Sequence, residues 1–176
     1  MKPSNDKSLS KNSTIYNYRL LKRVYHNPVI VWIIWALPGC LLILDLLLGY
    51  SVLPLLLGMA ALPIVHSLFI RLLYKMKEGR APRGWLWSLD QPWLGVIPGS
   101  YISFSKLFSI HLQLFWMTLV IMCCFYPWTS SNALSHVIFV HLWIMVPRFV
   151  IFYRMRQHIS EGYIRLNKKE TSCYEQ

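Results

Sequence analysis

Charge is what this chain has least of. Only 14% of its 176 residues are Asp, Glu, Lys or Arg, where a soluble domain carries about 25%. Acid is scarcest, with 7 Asp and Glu against 18 Lys and Arg. That shortage excludes a disordered chain, a coiled coil and an ordinary soluble enzyme. Cysteine is also sparse. The four residues are Cys40, Cys123, Cys124 and Cys173, with no C-x-x-C pair and no zinc spacing. A disulfide scaffold and a structural zinc site are therefore excluded. Cys123 and Cys124 are neighbours in an apolar run, and neighbours on a helix point about 100° apart. They read as small packing residues.

Catalytic constellations are missing as well. The chain has no phosphate-cradling glycine loop, no nucleophile elbow and no H-E-x-x-H. The long apolar stretches hold a single acid, Asp45, so they offer no carboxylate pair. Ser135 is adjacent to His136 rather than facing it, and so makes no dyad. The expectation is a protein without chemistry of its own.

What is present is apolar: 55% of the residues are hydrophobic and 15% aromatic. The cations fall in three blocks, within 1–28, 71–106 and 148–176, and none lies in 29–70 or 107–147. Each cation-free stretch is about twice the ~20 residues that one helix needs to cross a bilayer. Lipid accepts only helices or closed barrels, because unpaired backbone groups are too costly there. With no strand alternation in the two stretches, the fold class is an all-α integral membrane protein. It has four transmembrane helices as two helical hairpins, near 29–48, 52–73, 106–126 and 133–153. The turns fall at Gly49-Tyr50-Ser51 and at Tyr126-Pro127-Trp128-Thr129-Ser130-Ser131-Asn132, which are rich in turn formers and interfacial aromatics.

An even helix count puts all three basic blocks on one side. The positive-inside rule makes that side cytoplasmic. The expected organisation is a cytoplasmic N-terminal tail (1–28), hairpin 1 (29–74), a cytoplasmic loop (75–105), hairpin 2 (106–153) and a cytoplasmic C-terminal tail (154–176). The location is the cell (inner) membrane. The first apolar run starts only at Val29 and reads as a retained helix rather than a removed signal peptide. Leu37-Pro38-Gly39-Cys40 departs from a lipoprotein box, because Pro is atypical there and the chain stays apolar beyond it. A net charge of +11 on a soluble protein would point to nucleic acid. Here the cations flank apolar spans, so the expected partners are anionic headgroups, and other membrane proteins or further copies of the chain, but no nucleic acid.

The flanks carry their own signals. Residues 1–15 are polar and are expected to be disordered; Asn12-Ser13-Thr14 is a sequon on the predicted cytoplasmic side. Residues 16–27 mix cations, tyrosines and leucines, which suits a short helix lying on an anionic leaflet. The 75–105 loop holds Trp85, Trp87 and Trp93 among prolines and glycines that forbid one long helix. It reads as a tryptophan-anchored interfacial structure, partly re-entrant. Tyr74-Lys75-Met76-Lys77 and Tyr153-Arg154-Met155-Arg156 close the two hairpins alike and would fit a duplicated hairpin.

Ionisable residues within the spans are the first place to seek function. Counting depth along the helices places Asp45 and His136 together near the outer face, where they either form a hydrogen-bonded pair or Asp45 simply reaches interfacial water a turn away. The same count places His66 and His111 in the inner leaflet and His141 near mid-membrane. His66 and His111 on facing helices would ligate a b-type haem axially, bind a transition metal or relay protons. The ordinary use of each is one interhelical hydrogen bond. Phe115 and Trp116 beside His111 count against haem. Arg71 and Arg148, near inner helix ends, are expected to snorkel to the headgroups. The leading functional expectation is an accessory subunit of a larger envelope assembly of the secretion, conjugation or transport type. The alternatives are a haem- or metal-binding redox protein using His66 and His111, and a small oligomeric transporter or channel with Asp45 in its pathway.

Overall fold

The computed structural model describes residues 18–79 and 84–175. The expected tail at 1–15, its sequon, and Arg80, Pro82 and Arg83 lie outside the described residues. Four helices are long and apolar enough to cross a membrane. They are α1 (Pro28–Leu48), α2 (Leu53–Glu78), α3 (Phe104–Cys124) and α4 (Ser131–Met155).

Local chemistry sets the helix ends. Asn27 caps α1 by accepting from the Val29 amide at 2.9 Å, with Pro28 opening the first turn where its missing N–H costs nothing. Gly49 ends α1 at φ 71°, a left-handed position that suits glycine. Ser130 caps α4. Pro38, Pro63 and Pro147 lie inside helices, as membrane helices tolerate.

The bundle core lies between α2, α3 and α4, around Leu55, Leu62, Ile110, Leu114, Ile144 and Met145. Gly58 of α2 faces Val140 of α4, where a Cβ would make ordinary van der Waals contact at 3.5 Å from Val140 Cγ2. Helix α1 is peripheral. Only 11% of its apolar stretch is buried, against 33–44% for the others.

The all-α expectation is corrected by a small antiparallel sheet. Among the described residues there are six strands: β1 (Arg19–Tyr25), β2 (Trp85–Ser88), β3 (Gly95–Pro98), β4 (Ile102–Ser103), β5 (Tyr163–Leu166) and β6 (Glu170–Glu175). Four of them form a sheet in the order β1-β6-β5-β4, and β2 pairs with β3 as a separate hairpin. Residues 19–25 are thus a strand, not the expected surface helix. Their backbone groups pair with β6, from Arg19 opposite Glu175 to Tyr25 opposite Glu170.

The three flanking segments, each too short for a core of its own, build one cap together. The cap buries Val24, Trp93, Ile102, Ile164, Leu166 and Cys173 against Phe104, Leu107, Phe152 and Met155 at the helix ends. Gly162 is required at the α4–β5 turn, because a Cβ would lie 2.5 Å from both Cys173 Sγ and His158 O. The proposed hairpin repeat does not extend to the surroundings of its tyrosines. Tyr74 packs edge-on against Trp85, whereas Tyr153 is exposed beneath Arg156.

Candidate functional site

The chain's buried polar chemistry gathers where the β2–β3 hairpin meets the bundle. Gly95 opens β3 at φ 109°, a backbone region that disfavours any side chain, and a Cβ there would sit 3.1 Å from Ser67 Oγ. The glycine therefore lets the strand lie directly on α2. Arg148 enters from α4. It is buried rather than snorkelling, which corrects the expectation for this residue; Arg71 is exposed. Its Nε donates to Pro92 O at 3.3 Å and its Nη2 to Leu94 O. Among the described residues no carboxylate lies within ion-pair distance of it. The guanidinium fork thus holds the hairpin through two main-chain carbonyls.

Beside it, His66 Nε2 and His141 Nδ1 are 3.1 Å apart. One ring must donate and the other accept. Among the described residues the outer nitrogens, His66 Nδ1 and His141 Nε2, have no hydrogen-bond partner, and neither do Thr118 Oγ1 and the Gln91 amide. Phe115 stacks on the His141 ring at 5.2 Å. His111 donates from Nδ1 to Leu107 O at 2.9 Å and lies edge-on to Trp93 and Phe152. His66 is therefore brought to His141, not to His111, as its hydrogen-bond partner. Depth placed His66 and His111 in one leaflet, but depth says nothing of which way each ring points. Among the described residues no group of three His, Cys, Asp or Glu is arranged to hold a metal ion.

At the far end of the bundle, His136 Nε2 lies 2.7 Å from Asp45 Oδ2, both side chains buried. His136 Nδ1 lies 2.6 Å from Asn132 O. A carbonyl only accepts, so Nδ1 carries a hydrogen. The Nε2–Oδ2 contact then shares one proton, and the pair is neutral overall whichever partner holds it. This lowers the cost of placing it among apolar helices.

The three tryptophans separate. Trp87 is half exposed and Trp85 packs on Tyr74. Trp93 is 3% exposed and belongs to the cap core. Its Nε1–H donates to Thr171 Oγ1 at 2.8 Å, and that oxygen lies 3.0 Å from His26 Nε2. His26 Nδ1 lies 3.1 Å from Lys168 O, which can only accept. The order is therefore Trp93 to Thr171 to His26 to the Lys168 carbonyl, with His26 neutral. Burial lowers the His26 pKa below its usual 6.5, in keeping with that form. This chain ties the hairpin, the C-terminal strand and the start of α1 together. Sequence reasoning missed His26 and Thr171, because their partners are 78 to 145 residues away along the chain.

The cap has two opposed titrations. Burial pushes the Cys173 thiol up from 9.0 to about 11. The folded chain holds that proton more tightly than the unfolded chain, so its contribution is full below pH 9 and is lost as pH rises toward 11. His26 works the other way. Its contribution is present above pH 6.5 and is lost as pH falls toward its lowered value. Thermal melting in detergent is expected to peak between these limits. Cys173→Ala should remove the alkaline fall and leave the acid one, and an alkaline fall that persists in this variant would contradict the assignment.

These features define a multi-pass membrane protein whose four apolar helices carry a small antiparallel sheet. Comparison with protein-family models, with curated proteins and with solved structures finds no match.

Proposed function

We propose that the chain is an accessory subunit of a larger envelope assembly of the secretion, conjugation or transport type. It sits in the cell (inner) membrane with both termini and the cap in the cytoplasm, and it docks to another membrane polypeptide through α1. The observation that supports this reading is the outer face of α1. Ile33, Leu37, Cys40, Leu44 and Leu47 recur at alternating spacings of four and three, and all are exposed. That is the seam a partner helix fills by knobs-into-holes packing. Cys40 lies on this seam and Ala36 beside it, small residues that favour close helix approach. The bundle-facing residues Pro38 and Asp45 lie on a different face, so this seam is left free.

The haem or metal reading through His66 and His111 has less support. His66 is engaged by His141, and aromatic rings crowd His111 and His141. The channel reading needs an accessible Asp45, whose carboxylate is buried against His136.

The native Cys40 provides the test. In membranes, a thiol-to-thiol or thiol-to-amine crosslinker at Cys40 is expected to trap one defined polypeptide, in a Cys123→Ser/Cys124→Ser/Cys173→Ser background. Leu44→Ala/Leu47→Ala should abolish that adduct. Crosslinking only to lipid, with a monomer on detergent extraction, would overturn the proposal.

A further inference from the structure

Under the cap, a cleft of about 250 Å³ runs between α1 and α4. Its walls are Ile30, Val31 and Ile34 from α1 and Val146, Val150 and Ile151 from α4, and its mouth holds Arg154, His26 and Asn27. We propose that this cleft binds one acyl chain of an anionic phospholipid, with the lipid phosphate held at the mouth by Arg154. The inference is independent of the subunit reading, since it uses the bundle-side edge of α1 and not its outer seam.

Shape, polarity and charge all point to that occupant. The walls are aliphatic and half exposed along two membrane-spanning helices, so whatever fills the cleft comes from the bilayer. The volume of about 250 Å³ is below the roughly 300–1,000 Å³ of small-molecule pockets and holds a segment of an acyl chain, the remainder lying along the helices in lipid. Polarity changes only at the mouth. The amino end of α1 opens there, bringing the positive end of its dipole. Arg154 is exposed and has no acidic partner within ion-pair distance among the described residues.

A second cleft of about 240 Å³ shares His26 and Val31 with the first and carries Lys168 and Lys169 on the other side of the α1 first turn. Its one acid, Asp90, is 3.8 Å from Lys168, and among the described residues no acid lies within ion-pair distance of Lys169. The neighbourhood of the mouth is thus cationic, while His26 is committed to Thr171 and Lys168 O and supplies no charge. An anionic headgroup matches this rim; a zwitterionic one gains less.

The test uses the full chain in nanodiscs of equal phosphatidylcholine and phosphatidylglycerol with matched acyl chains. Lipid adducts are then counted by native mass spectrometry. The glycerol lipid is expected to be enriched about fivefold or more, the effect of one cation near a headgroup. Arg154→Gln should return the ratio close to that of the bulk. Lys75→Gln, the same charge change at the remote α2 terminus, should leave it enriched. Ile34→Trp should fill the cleft and remove the adduct. Equal adducts of both lipids, equal losses in the Arg154 and Lys75 variants, or a second copy of the chain in place of lipid would each overturn the proposal.

Discussion

Arg148→Leu is expected to release the β2–β3 hairpin and to lower the unfolding free energy in detergent by about 3 kcal/mol. Hydrogen bonds to a charged donor are each worth about 1.5–3 kcal/mol, and Pro92 O and Leu94 O lose theirs together. The loss is partly offset, because the variant no longer buries a guanidinium without a carboxylate partner. Arg148→Lys decides between the contributions. It keeps the charge, but a single ammonium cannot reproduce the planar fork that reaches both carbonyls. It should therefore be at least as damaging as leucine. If lysine instead rescues stability, positive charge rather than the fork is what matters. Cys173 reports the opening independently. It is fully buried beside Thr171, which Trp93 holds. In a background without the other three cysteines, its maleimide labelling should be slow in the parent and markedly faster in both variants.

That arginine also shows where the sequence stops being informative. The four helices were legible because crossing lipid is a per-residue transfer cost. A cation-free run of sufficient length states its own answer without reference to distant residues. The shared depth of Asp45 and His136 was legible for a related reason, since depth along a helix is a simple count, but their contact is visible only in the structure. Direction around a helix axis is not legible in the same way. Depth could not show that His66 meets His141, or that Arg148 turns inward to the hairpin rather than outward to headgroups.

Strand β1 was hidden for another reason. Arg-Leu-Leu-Lys-Arg-Val-Tyr carries apolar residues at both helical and extended spacings. What makes it a strand is pairing with residues 170–175, and no local window contains that partner. The cap as a whole was missed because three flanks were weighed separately. Each lacks a core alone, and only together do they enclose Trp93, Ile164 and Cys173.

The second large effect lies at the opposite end of the bundle. Asp45→Leu is expected to cost about 2 kcal/mol, because it leaves His136 Nε2 without its hydrogen-bond partner in a site that is 3% exposed. Ordinary interhelical hydrogen bonds in membranes average only about 0.6 kcal/mol. The larger figure comes from the unpaired imidazole left behind, not from the bond itself. Hence the diagnostic variant is the double one. Asp45→Leu/His136→Leu replaces both partners by apolar side chains and should recover most of the loss. Asp45→Asn, whose amide N–H can donate to Nε2 of a His136 that carries its hydrogen on Nδ1, should fall between the parent and the single leucine variant. The consequence is local to α1, which is otherwise held by few polar contacts, chiefly the Trp143 Nε1–H to Ile34 O bond at 2.6 Å. Asp45→Leu should therefore also alter crosslinking at Cys40, because a helix freed from the bundle no longer presents its seam at a fixed angle. If the double variant is as unstable as the single one, or if Asp45→Leu leaves both stability and crosslinking unchanged, the pair is not what seats α1. The reading of α1 as a docking helix would then lose its anchor.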